Sequence, residues 1–447
     1  MDNLLHTATA GGGHEKVVIG HGKGLLALSP IIVFLLLYVA VSAAIGDFYK
    51  MPLSIAFIVA SVWAMATMPR MKVAERIEVF SAGAANSNIL YMIWIFIMAG
   101  AFSALANGIG AVDATVDLAL RVLPSWFLLP GMFLTACFIS MSIGTSVGTV
   151  VALTPFAQQL ALTTGGSVPF FVSVVLGGSF FGDNLSFISD TTIAATRNLR
   201  VKMNDKFKAN LWIALPAALV TLAVYATIGG VGGAVPYTPH PVAQWQLVLP
   251  YLVVIALAVA GVNVLVVLSV GIASCLILAA GSHSLIDLCT TMGGGIKDMS
   301  DLIIVTLLAA GLLEVISYNG GIKYIIGLLT RRIHGARGAQ AVVAVLVSLV
   351  NVCTANNTIA IITVGKISRS IASTFGLDPR KVASLLDTCS CITQCIIPYG
   401  AQSLLAAGLA KVSPVAFLPY QYYAWALAAA VALSIALQFP RSHQRAA

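Results

Sequence analysis

The chain has 447 residues, of which 59% are hydrophobic and only 9% charged. A soluble domain carries about 25% charged residues, so this chain cannot solvate its own surface in water and reads as a polytopic integral membrane protein. The net charge of +8 does not indicate nucleic-acid binding, because the basic residues lie between apolar runs, where they act as topology signals.

In chain order, residues 1–24 are polar and Gly-rich and lack the basic-then-apolar layout of a signal peptide. A helix crosses the hydrocarbon core with about 20 apolar residues. Stretches 25–45, 51–68, 89–106, 170–196 and 209–228 supply such spans in the first half. Stretches 247–260, 262–280, 302–316, 382–410 and 421–439 supply them in the second. Two further uncharged stretches, 125–162 and 338–365, are too long for one helix and are broken in the middle. Each is a re-entrant hairpin or a pair of spans, and both options return the chain to the side it left. The expected fold is therefore all-α and integral to the membrane, with about 10 transmembrane helices plus two re-entrant or broken hairpin segments.

Basic clusters fall at Arg70/Lys72/Arg76, Arg197/Arg200/Lys202/Lys206/Lys208, Arg331/Arg332/Arg337 and Arg441/Arg445, whereas 163–169 and 229–246 contain no charged residue. Walking the spans places every basic cluster on one side and both neutral loops on the other. The positive-inside rule then puts both termini in the cytoplasm. The seven cysteines, at 137, 275, 289, 353, 389, 391 and 395, fall mostly in apolar stretches and read as small core residues.

Residues 50–200 align without a gap on 261–411 at a shift of 211, which brings Ala99-Gly100 onto Ala310-Gly311, Gly110 onto Gly321, and Ala161, Thr163 and Gly165 onto Ala372, Thr374 and Gly376. Five spans plus a returning segment per half is an odd number of crossings, so the halves are inverted, a transporter architecture. The expected organisation is a cytoplasmic segment 1–24, a first repeat 25–228, an extracytoplasmic linker 229–246, a second repeat 247–439 and a cytoplasmic tail 440–447.

The interruptions carry the chemistry. The first-half run is broken by Gly144-Thr145-Ser146-Val147-Gly148-Thr149, and its shifted mate is Ala355-Asn356-Asn357-Thr358, preceded by Asn351. A second break runs from Gly182 to Thr192, and its mate begins Thr393-Gln394 and continues to Pro398-Tyr399-Gly400. Unwound backbone in a membrane is tolerated where it lines a cavity or is buried in protein. Its carbonyls, with Asn, Ser and Thr oxygens, can replace the hydration shell of a hard cation, and a half-helix N-terminus can hold an anion.

Asp183 and Asp190 fall within the first-half break, and Asp387 lies in the opposite half. Intramembrane carboxylates mark ion or proton paths. A cation and a proton compete for one such carboxylate, which is the minimal physics of an antiporter. The candidate cation and proton ligands are Asp183, Asn184, Ser186, Ser189, Asp190, Thr191 and Asp387. The candidate substrate or ion ligands at the helix breaks are Thr145, Ser146, Thr149, Asn351, Asn356, Asn357, Thr358, Thr393 and Gln394. Asp190 has a second reading as a helix cap, and the Ser, Thr and Asn residues of the breaks have one as partners for helix ends. Gly144-Thr145-Ser146-Val147-Gly148 also fits the G-x-S-x-G pattern of a serine nucleophile, but none of the seven histidines falls in an assigned span, so no enzyme is expected.

The stretch Gly182-Asp183-Asn184-Leu185-Ser186-Phe187-Ile188-Ser189-Asp190-Thr191-Thr192 resembles the G-D-H-x-S-P-I-S-D-T-T signature of the NhaC-type sodium/proton antiporters, in the ion transporter superfamily. Gly144-Thr145-Ser146 with Gly148-Thr149 is similar to that family's G-T-S-x-G-T element, and Leu386-Asp387 with Ile397-Pro398-Tyr399 to its E-D…I-P-W region. The resemblance covers most of the chain from about residue 50 onward. The sequence departs from the signature at Asn184, where His is usual, and at Phe187, where Pro is.

The resemblance implies cation-coupled exchange. The expected function is a sodium/proton antiporter of the cytoplasmic membrane working by alternating access. The alternative is sodium- or proton-coupled transport of a small carboxylate or amino acid. No cofactor is expected beyond sodium and protons as transported or coupling ions. The expected partners are the lipid bilayer and a small ion or small-molecule substrate, not nucleic acid, and a homodimer is left open. Asp190→Asn is expected to abolish coupled exchange, and Asp183→Asn to abolish or strongly weaken it.

Overall fold

A computed structural model describes residues 21–45, 51–228, 245–330, 333 and 335–439. Most of segment 1–24, most of the linker 229–246 and all of the tail 440–447 therefore lie outside the described residues, as do Arg331 and Arg332. The first half contains α1 (His21–Ile45), α2 (Leu53–Ala66), α3 (Val73–Ala84), α4 (Ser87–Gly108), α5 (Ala111–Val122), α6 (Leu128–Ile143), α7 (Ser146–Thr164), α8 (Val168–Leu185), α9 (Asp190–Leu199) and α10 (Met203–Ile228). The second half contains α11 (Leu249–Val259), α12 (Val264–Ala279), α13 (Leu285–Asp298), α14 (Ser300–Tyr318), α15 (Gly321–Thr330), α16 (Gly335–Thr354), α17 (Asn357–Thr374), α18 (Pro379–Ile396), α19 (Ala401–Ala410) and α20 (Tyr422–Leu437). No strand forms among the described residues.

Eight described helices are long and apolar enough to cross a membrane, or nine if the bent pair Pro414–Tyr420 and Tyr422–Leu437 is one span. Three expected spans, 51–68, 247–260 and 262–280, fold as helices of 14, 11 and 16 residues. Each is too short to cross alone at about 1.5 Å per residue. The expected span 302–316 begins much earlier, because α13 runs almost directly into α14. The basic stretch around Arg76 also folds as a helix, α3, with the Arg76 guanidinium donating to the carbonyls of Met71 and Met65 at 2.9 and 3.2 Å. Large apolar side chains such as Leu36, Val62, Trp94, Phe138, Ile277 and Leu433 stand exposed on the outer helices, as they must where lipid replaces water.

The two halves repeat element by element. The shift of 211 carries Gly144 onto Ala355, Gly165 onto Gly376 and Arg200 onto Lys411, and all six residues have positive φ. Packing is reciprocal between the halves. α3 lies on α14 and α13 on α4, α2 lies on α14 and α12 on α4, and α9 lies on α17 and α19 on α7. This exchange of partners is the contact pattern expected of an inverted repeat.

The core sits around α8 and α18, which are almost wholly enclosed. α6 packs closely on α8 because Gly178 and Gly182 remove side chains from the interface. A Cβ on Gly178 would lie 2.6 Å from both the Ala136 Cβ and the Phe133 carbonyl oxygen.

Candidate functional site

Four interruptions converge between the halves. α6 ends at Gly144 with φ of 75°, and Thr145 is extended before α7 begins at Ser146. Gly144 supplies the left-handed residue without a Cβ penalty. In the second half Ala355 takes the same conformation, and Asn356 caps α17 by accepting from the Ile359 N–H at 3.0 Å. α8 leaves helical geometry at Ser186 and the chain re-enters it at Asp190. α18 ends at Ile396, where Pro398 cannot donate and forces Ile397 into an extended conformation.

Asp183 is buried at the heart of this arrangement. Its Oδ2 accepts from Ser146 Oγ at 2.9 Å and its Oδ1 from Ser189 Oγ at 2.6 Å. Ser189 also lies 2.8 Å from Thr191 Oγ1. Gln402 Nε2 donates to Ser146 Oγ at 2.9 Å, and Gln394 Nε2 donates to Gln402 Oε1 at 3.1 Å. Gln394 Nε2 also donates to the Ala355 carbonyl at 3.1 Å, so the network joins all four interruptions. Among the described residues no Lys or Arg pairs with Asp183.

Asp387 has a different environment. It is fully buried and forms an ion pair with Lys206, which is itself 1% exposed. Thr192 Oγ1 donates to Asp387 Oδ2 at 3.2 Å, and the Cys391 thiol lies 3.6 Å from Oδ1. Lys206 Nζ also donates to the Asn184 carbonyl at 2.8 Å and to Thr192 Oγ1 at 2.9 Å. The reading of Lys206 as a loop charge is corrected: α10 begins at Met203 and carries this side chain into the core. Asn210, one turn further on, donates to the carbonyl and the Oδ1 of Asn184, each at 2.7 Å. Asn210 Oδ1 in turn accepts from Ser384 and Thr388 at 2.8 and 2.6 Å. Asn184 is therefore held by α10 and α18, while its neighbour Asp183 faces α7 and α9.

The remaining candidates have other partners. Asp190 is exposed and accepts from Thr358 Oγ1 at 3.1 Å, joining the two halves. Its cap reading is not met, because Ser189 holds the N-cap position. Ser186 donates to the Met141 carbonyl at 2.9 Å and accepts from the Ile188 N–H, so it holds the break itself. Thr149 and Thr393 turn back onto carbonyls of their own helices, and Thr145 contributes its backbone there. In the second half Asn351 Nδ2 donates to the Ser390 carbonyl, Gln394 Nε2 to the Ala355 carbonyl, and Asn357 Oδ1 accepts from the Thr358 N–H. Asn351 Oδ1, Asn357 Nδ2 and Gln394 Oε1 have no hydrogen-bond partner among the described residues, although all are buried.

Sequence reasoning missed Lys206, Asn210, Ser384, Thr388 and Gln402. Two signals were present. Lys206 and Asn210 are four apart, one face of a helix, and the 211-residue shift carries Thr191 onto Gln402.

The profile of the Na+/H+ antiporter family matches residues 17–232 and again residues 227–439. The chain belongs to this family. It is similar to the malate-2H(+)/Na(+)-lactate antiporter of Bacillus subtilis, at 22% identity over 92% of this chain and 94% of that protein. It is also similar to the arginine/ornithine antiporter ArcD of Halobacterium salinarum, at 21% identity over 76% and 78% of the two chains. The Na(+)/H(+) antiporter NhaC of Alkalihalophilus pseudofirmus is 24% identical over 74% and 78%. Among solved structures, the YdaH transporter of Alcanivorax borkumensis covers 94% of this chain and 99% of its own at 13% identity, with a TM-score of 0.41. This antiporter-family chain is thus a multi-pass membrane protein of a transport family, and its departures from the NhaC-type signature have local partners. Asn184 is bonded to Asn210, and Phe187 stacks on Phe207 at 4.5 Å between ring centroids.

Proposed function

We propose that the protein exchanges sodium for protons by alternating access, with Asp183 as the shared ligand. One observation carries this reading: Asp183 is buried among hydroxyl donors with no cationic side chain paired to it among the described residues, whereas Asp387 already has Lys206. An uncompensated charge in such a place is severely penalised. The Asp183 carboxyl is stable there either protonated or with a bound cation, so the two ions exclude each other. Ser146 and Ser189 set hydroxyl oxygens against the two Asp183 carboxyl oxygens, and Thr191 sets a third beside Ser189, the kind of ligand a hard cation prefers. The moving unit in this reading comprises α6 to α9 and α16 to α19, and α2, α3, α4, α12, α13 and α14 form the scaffold. The remaining basic stretches support a cytoplasmic location for both termini in this reading.

The experiment uses purified protein in liposomes holding a pH dye. A sodium gradient alone should move protons, and the Asp183→Asn protein should not respond. No response of the wild type to sodium under any gradient overturns the reading.

A second reading, cation-coupled exchange of a small carboxylate or amino acid, has its own support. The unpartnered amide atoms of Asn351, Asn357 and Gln394 offer neutral donors and acceptors to an organic solute. The malate-2H(+)/Na(+)-lactate relative aligns over nearly its whole length. The same liposomes then respond only when malate, lactate or arginine is added with sodium.

A further inference from the structure

We propose that the Lys206 ammonium is a tethered cation occupying a second cation site, formed by the Asp387 carboxylate, the Thr192 hydroxyl and the Asn184 carbonyl, and that removing it opens that site to a free sodium ion.

The donor set is that of a hard cation. Lys206 Nζ meets three oxygens of three kinds, a carboxylate, a hydroxyl and a backbone carbonyl, from three separate elements. Hard cations are bound by this combination of oxygens. The ammonium has three donors and no acceptor, and all three are spent here. The Asn184 carbonyl belongs to the last turn of α8, where intrahelical partners run out. It is free to face a cation because the chain breaks at Ser186. Asn210 donates to the same carbonyl and fixes its direction.

The site adjoins the one at Asp183. Asn184 follows Asp183 directly, and Thr192 follows the Ser189–Thr191 pair that serves Asp183. Two adjacent carboxylate sites therefore share one broken segment. One has a cation supplied by α10, and the other has none supplied by the described chain. Under the antiport reading above, Lys206 leaves Asp183 as the open carboxylate site of this pair for a mobile cation, and so sets the number of ions the pair carries per cycle.

The test measures equilibrium binding of radioactive sodium to purified protein in detergent. Lys206→Ala should bind one more sodium per protein than the wild type, and adding Asp387→Ala should remove that extra ion. Equal binding by Lys206→Ala and the wild type overturns the proposal, as does an extra ion that persists in the double variant. Lys206→Ala is also purified in parallel in sodium and in the bulky cation N-methyl-D-glucamine. Recovery of folded protein in sodium alone supports the proposal, and aggregation in both overturns it. Failure of the antiport reading is separate: a wild type that binds no sodium would remove Asp183 as a sodium ligand, while the one-ion difference between variant and wild type would still decide the role of Lys206.

Discussion

Ser146 Oγ donates to Asp183 Oδ2 over 2.9 Å, although the two residues are 37 positions apart in the chain. The same hydroxyl accepts from Gln402 in the other half, so one small side chain ties the carboxylate to both repeats.

Ser146→Ala should therefore cost more than a single hydrogen bond. It leaves Asp183 Oδ2 without this donor and Gln402 Nε2 without this acceptor. A stranded buried polar group costs about 1–3 kcal/mol, so the thermal midpoint should fall measurably. Ser146→Thr keeps the hydroxyl and should recover most of the loss. A midpoint unchanged by Ser146→Ala would show that the network does not hold the breaks together.

Asp183→Asn should weaken sodium binding far more than Asp190→Asn, an order opposite to the one expected from sequence. Removing one partner of a buried charge pair costs about 3–5 kcal/mol, or roughly a hundredfold or more in affinity. Asp190 is exposed and accepts from Thr358, and asparagine keeps an oxygen for that bond. Its substitution should lower exchange less than about tenfold. Sodium titrations of both variants, with exchange rates in liposomes, measure the difference. Equal loss in the two would place Asp190 at the cation as well.

Gly178→Val should disrupt the α6 and α8 packing that positions Asp183. Even a Cβ here would meet the Phe133 carbonyl at 2.6 Å, and backbone cannot yield as a flexible side chain can. Overpacking costs about 1–3 kcal/mol, seen as a lower midpoint and a smaller monodisperse fraction. Gly293→Ala in α13 is the control. Nothing lies within 4 Å of its added Cβ, and alanine in a helix interior should stabilise by about 0.5–1 kcal/mol.

Alternating access predicts that single cysteines at Val147 and Ile359, beside the two tips, change their reactivity with ionic conditions. The seven native cysteines, free among the described residues, are first replaced. A membrane-impermeant thiol reagent should label each tip from one side in sodium and from the other in its absence. Labelling from one fixed side under all conditions would argue for a channel.

Much of this was legible in the chain because membrane chemistry is written in composition. Low charge and long apolar runs required helices, and Gly144, Asn356, Ser186 and Pro398 marked where those helices had to stop. The gapless shift of 211 related the halves before any contact was known, and Gly165 and Gly376 do share their positive φ. Asp183 stood out because a carboxylate in an apolar run is costly wherever it lies.

What the sequence could not decide was which groups meet. Asp183, Asp190 and Asp387 carry the same chemistry in the chain, yet one is buried among hydroxyls, one is exposed, and one is neutralised by Lys206. Lys206 reads as a loop charge because it sits in a basic stretch, and only the entry of α10 into the core turns it inward. The charge state of a buried carboxyl depends on partners a few ångströms away. Here carboxyl and partner lie as far apart in the chain as Asp183 and Ser146, or Asp387 and Lys206, so that choice belonged to the tertiary structure.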